Sequence, residues 1–175
     1  MILGEKMKIV KCVGCGAEVN DLDGPTHPYI IATAACWELY GQVLAKEYEN
    51  QNYFKVHRLT VDAYAVQHPG IPERKSIQSV NIHLIALCLA FEHDMEFSKI
   101  TAKMGEVIKK FEKQFAWLTP PKTNYPITVK DILTAATADE HVIKVRSWAQ
   151  SVWQIWQNDH GEKISKYSNL IIRYE

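Results

Sequence analysis

Pro72-Glu-Arg-Lys-Ser-Ile-Gln-Ser-Val-Asn-Ile-His-Leu-Ile-Ala-Leu-Cys-Leu-Ala-Phe-Glu92 is the stretch on which the fold turns. Its proline suits the first turn of a helix, where the missing N–H would have had no partner. Beyond it, Ile77, Val80, Ile82, Leu84, Ile85, Leu87 and Leu89 place apolar side chains nearly all round a helical cylinder. A helix apolar on every side is buried, so this one is expected at the centre of a bundle. The fold class that follows is all-α, about five to six helices.

The flanking segments supply the other helices. Upstream, Thr33 reads as the N-cap of a first helix carrying Trp37, Tyr40, Leu44 and Tyr48 at helical spacing. A second is expected from about Tyr53 to Gln67, closed by His68-Pro69-Gly70. Downstream, Phe97, Ile100, Met104, Ile108, Phe111 and Phe115 form an amphipathic stripe, ended by Thr119-Pro120-Pro121. Two capping boxes follow: Thr128 with Asp131 opens a short helix, and Thr137 with Glu140 opens a long one. The long helix is expected to stop at His160-Gly161. The tail leaves two readings open: Asn169-Leu-Ile-Ile-Arg-Tyr174 as a short strand pairing with Met7 to Val10, or as a last helical turn.

Lys8 to Tyr29, rich in Gly, Asp and Pro, reads as a loop-and-knuckle region. The expected organisation is a single domain over 1–175, with a zinc-knuckle segment at 8–36, a helical bundle at 37–160 and a C-terminal tail at 161–175. A chain of 175 residues that is 47% hydrophobic can build its own core.

Charge excludes some functions. Lys plus Arg and Asp plus Glu are 20 each, without the basic excess that phosphate neutralisation demands of a nucleic-acid binder. Lys103, Lys109, Lys110 and Lys113 alternate with Glu106 and Glu112, as on a solvated face. The longest apolar run, Leu84 to Phe91, is far below the ~20 residues of a membrane span. The first ten residues, broken by Glu5, Lys6 and Lys8, do not read as a signal peptide. A cytoplasmic protein is the expectation, with no nucleic-acid partner and no membrane; the oligomeric state is not legible.

In a reducing compartment, Cys12-x2-Cys15 reads as metal-binding or redox-active. Two thiolates at that spacing can bite one tetrahedral ion. Cys36, at N3 of the first helix, is the third ligand expected, beside unpaired N–H groups that favour a thiolate. His27, between two prolines, is the fourth, giving C-x2-C-x11-H-x8-C and a bound zinc. The competing reading is a redox dithiol with Cys36 buried. Cys88, inside the oily helix, is plain core.

On the second helix His57, Val61, Tyr64 and His68 share the face committed to the core, so each polar group there needs a partner. His57 and His68 lie about 16 Å apart along a helix, too far for one ion. Asp62 sits about 140° from His57 and needs a partner on another element. His83 shares a face with Ser76, Ser79, Ala86 and Ala90, which marks either close helix contact or a lined cavity. His57, Asp62, Tyr64, His68 and His83 are therefore the candidate catalytic or binding residues. His141 and His160 read as surface residues, and His93 as a C-terminal dipole partner.

Cys12-Val-Gly-Cys-Gly, Asp23-Gly-Pro-Thr-His-Pro-Tyr29, Cys36-Trp37 and, above all, Val56-His-Arg-Leu-Thr-Val-Asp-Ala-Tyr-Ala-Val-Gln-His-Pro-Gly70 resemble an uncharacterised bacterial domain-of-unknown-function family. The block from Ser76 through His83, Trp117 to Pro121, and Trp148 to Trp156 extend the resemblance over about residues 12 to 160. Met1 to Lys11 reads as an extension ahead of it, with Met7 as an alternative start. The resemblance implies a small cytosolic bacterial protein with a zinc site, and no reaction. Two functional readings stand: a zinc-binding helical protein with a small-molecule or catalytic pocket lined by histidines, or a zinc-stabilised interaction module.

Overall fold

The computed structural model describes residues 8–173. It is a mostly helical fold. A two-stranded antiparallel hairpin, β1 (Ile9–Lys11) and β2 (Glu18–Asn20), precedes seven helices among the described residues: α1 (Ala34–Glu49), α2 (Gln51–Phe54), α3 (His57–Gln67), α4 (Arg74–Glu92), α5 (Phe97–Phe111), α6 (Val129–Ile132) and α7 (Ala138–Ile172). The strands pair with Val10 opposite Val19. Cys12 N–H to Ala17 O and Gly16 N–H to Cys12 O close the turn between them. Met1–Met7 and Tyr174–Glu175, on which the extension, alternative-start and strand readings partly fell, lie outside the described residues.

The capping signals act as expected, with one variation. Thr33 Oγ1 accepts from Cys36 N–H, and the Asp131 carboxylate accepts from Thr128 N–H. Thr137 Oγ1 accepts from Glu140 N–H, but the Glu140 carboxylate reaches past the cap to Ala136 N–H.

α4 is the central helix, packed against α3, α5 and α7. Leu84, Ile85, Leu87 and Leu89 are fully buried in a core shared with Trp148, Trp153 and Trp156 of α7. Leu84→Ala is expected to cost about 2–5 kcal/mol, because lost burial and a residual cavity add. Its denaturant midpoint should fall with unchanged slope; an unchanged midpoint would remove α4 from the centre.

Two sequence expectations are corrected. The second helix is two: the chain breaks at Lys55–Val56, and His57 begins α3. α7 does not stop at His160-Gly161; it runs to Ile172, so of the two readings of the tail the helical one holds, and β1 pairs with β2 instead. An interior glycine costs a helix about 1 kcal/mol. Here Ile164, Tyr167, Ser168 and Ile171 continue the buried stripe, and Tyr167 packs on Phe111 and Phe115. Burial outweighs the glycine.

Candidate metal centre

Three elements deliver the site. The β1–β2 turn carries Cys12 and Cys15, the first turn of α1 carries Cys36, and the C-cap of α3 is His68. The four ligand atoms lie within 4.8 Å of one another and all four residues are buried. His68 Nε2 is 3.5 Å from both Cys12 Sγ and Cys36 Sγ, and Cys15 Sγ is 3.8 Å from Cys36 Sγ. A tetrahedral ion with bonds of about 2.3 Å to sulfur and about 2.0 Å to nitrogen spaces its ligands about 3.8 Å (S–S) and about 3.5 Å (S–N) apart. The group therefore fits a metal ion.

The tautomer of His68 agrees. Its Nδ1 lies 2.7 Å from the Tyr64 carbonyl, which can only accept, so Nδ1 carries the proton and Nε2 turns its lone pair to the sulfurs. Metal-bound histidines are oriented by such a carbonyl. Tyr64 holds a second ligand as well: its hydroxyl donates to Cys36 Sγ at 3.7 Å. Its ring stacks between Tyr40 and His68, at centroid distances of 3.9 and 4.0 Å. Burial, with thiolates nearby, pushes the Tyr64 phenol up, so it stays a donor.

Without an ion the sulfurs must share protons. Hydrogen bonds from Cys15 and Cys36 hold the Cys12 thiol far below its usual range, while Cys15, donating to Cys12, is pushed up to about 12. Cys36 is driven up for the same reason. Gly14 is required by packing: a Cβ there would lie 2.4 Å from His68 Cδ2 and 2.5 Å from the Ile31 carbonyl oxygen.

His27 is not in the group. Its Nδ1 accepts from Tyr29 N–H at 3.5 Å, and its ring packs against Tyr29 and Trp37. His68 joins the three cysteines instead: it is the C-cap of α3, at φ −128° and ψ 58°, with its buried ring stacked on Tyr64 of the inward face.

The other candidates do not share one pocket. Asp62, 1% exposed, accepts from Arg58 Nε at 2.8 Å and from His83 Nδ1 at 2.6 Å, tying α3 to α4. His57 Nδ1 donates to Glu47 Oε2 at 2.8 Å, its Nε2 accepting from Tyr48. Glu47 and His141 are the polar residues that sequence reasoning missed. Both are fully buried, and His141 Nε2 donates to Glu47 Oε1 at 2.9 Å, with Thr60 Oγ1 donating to the same oxygen. His141 is thus corrected from surface to core. A signal existed: once Cys36 faces inward, Tyr40, Val43 and Glu47 follow at helical spacing, and with Ala35 these are the buried residues of α1.

A family model matches residues 10–157, a span that holds the Cys12, Cys15, Cys36 and His68 group and both polar clusters. The chain belongs to the family of unknown function DUF5946. No curated protein and no solved structure matches this DUF5946 member. Among its described residues no helix is long and apolar enough to cross a membrane.

Proposed function

We propose that Cys12, Cys15, Cys36 and His68 hold one zinc ion, and that the ion's work is to fasten the β1–β2 turn and the start of α1 to the end of α3. The His68 geometry carries this reading: Nε2 sits equidistant from two sulfurs with its proton parked on Nδ1. Three thiolates and an imidazole are a soft set suited to zinc. Four protein ligands close the coordination shell, which leaves no position for water or substrate, so the centre is structural. This favours a zinc-stabilised scaffold over a metal-dependent enzyme.

Metal content separates the two candidate fourth ligands. The wild-type chain, purified without added metal, should carry one zinc per molecule by elemental analysis. His27→Ala should keep it, whereas His68→Ala should lower zinc affinity by at least tenfold. Retention by His68→Ala with loss in His27→Ala would reverse the assignment. Iron in place of zinc would retain the site and change its chemistry.

A further inference from the structure

We propose that the depression between α4 and the Tyr29 loop binds the phosphate group of a small phosphomonoester, with Lys75, Ser79 and His83 as its polar contacts. It is lined by Tyr29, Lys75, Gln78, Ser79, Ile82 and His83. Lys75, Ser79 and His83 stand four residues apart on α4, so their side chains form one stripe along it. The loop opposite is pinned there, since Ser76 Oγ donates to the Tyr29 carbonyl at 3.3 Å. Gly70 makes the pinning feasible: at φ +76° a Cβ would meet that carbonyl oxygen at 2.4 Å.

The lining selects the ligand's charge. Lysine, serine, glutamine, tyrosine and histidine can all donate a hydrogen bond, and no acidic side chain lines the depression among the described residues. Asp62, behind His83, is buried with both oxygens taken by Arg58 and His83. Lys75, exposed in the second position of α4, brings a positive charge to this lining.

His83 narrows the choice to phosphate. Asp62 holds its Nδ1, which fixes the ring and leaves Nε2 for a ligand. Neutral, Nε2 offers a lone pair; protonated, it donates. A phosphomonoester, with a second pKa near 6, can meet either form, through a P–OH donor or an ionised oxygen. Carboxylate and sulfate, fully ionised at neutral pH, meet only the second. The site is independent of the zinc centre, and its test uses the zinc-loaded chain.

The test follows the His83 imidazole resonances by NMR while inorganic phosphate is added at constant ionic strength, with sulfate as the parallel arm. Saturable shifts at millimolar phosphate are expected, with sulfate weaker. Lys75→Ala, at an exposed position, should weaken phosphate at least fivefold with the fold intact, and Ser79→Ala should weaken it less; Lys166→Ala, on α7, should change nothing. Shifts that do not saturate, that sulfate reproduces equally, or that survive Lys75→Ala overturn the proposal. Phenyl phosphate should bind at least as well as phosphate. Cosedimentation with phosphatidate-containing vesicles without any response to free phosphate would overturn the small-molecule assignment.

Discussion

Stripping the metal, or replacing Cys36 with serine, is expected to abolish the cooperative thermal transition rather than shift it by a few degrees. A structural zinc contributes on the order of 10 kcal/mol to folding, as much as the whole net stability of an ordinary domain. Cys36 is fully buried at the point where α1, the knuckle and the end of α3 meet. Three sulfur atoms and His68 Nε2 crowd within 4.8 Å there, an arrangement that a bound cation would hold together. The close fit of Gly14 on His68 leaves no room for the knuckle to relax in place. Calorimetry before and after chelation, with zinc restored as control, measures the effect. A metal-free chain that melts at the wild-type temperature would defeat the zinc reading.

Glu47→Ala is expected to be the most damaging change away from the metal, at about 3–5 kcal/mol, or roughly 6–20 °C in melting temperature for a chain of this size. The alanine would leave His57, His141 and Thr60 aiming hydrogen-bond donors at nothing, two of them in a fully buried site. Glu47→Gln, which keeps an acceptor but not the charge, should cost less. Burial by itself would raise the Glu47 carboxyl, but the donors from His141, His57 and Thr60 outweigh it, and the net shift is downward. A folded-state value below the unfolded one means the stabilisation is present above the ordinary carboxylate range and is lost as pH falls through it. The gap between wild type and Glu47→Gln should therefore hold down to about pH 5 and narrow as pH falls below the ordinary carboxylate value towards the lowered folded one. Protonation of the zinc ligands affects both chains alike and cancels in the comparison. A gap that stays constant would show that Glu47 is not ionised in the folded protein.

The tests interlock by location. Loss of the proposed metal would strike the end of α3 that carries His68, Glu47 variants strike the end that carries His57, and the phosphate titration reads His83 across from Asp62 between them. An injury confined to one cluster would show that the three are energetically separate, as their contacts suggest.

Local chemistry decided much of this protein in advance. The all-round apolar run of α4 could only be a core helix, the caps at Thr33, Thr128 and Thr137 mark helix starts by satisfying amides, and Cys12-x2-Cys15 with Cys36 picks out three of the four residues that the fold clusters. The inward orientation of Tyr64 and His68, and the need of Asp62 for a partner elsewhere, also followed from helical geometry. Tertiary structure decided the rest, because those outcomes compare energies of groups far apart in the chain. His68 displaced His27 since α3 ends against the knuckle, 53 positions beyond Cys15 in sequence but within 4.8 Å in space. α7 crossed Gly161 because the burial of Ile164 and Tyr167 against other helices outweighs a local propensity. Glu47 and His141, 94 residues apart, became core because each supplies what the other lacks, a buried acceptor and a buried donor.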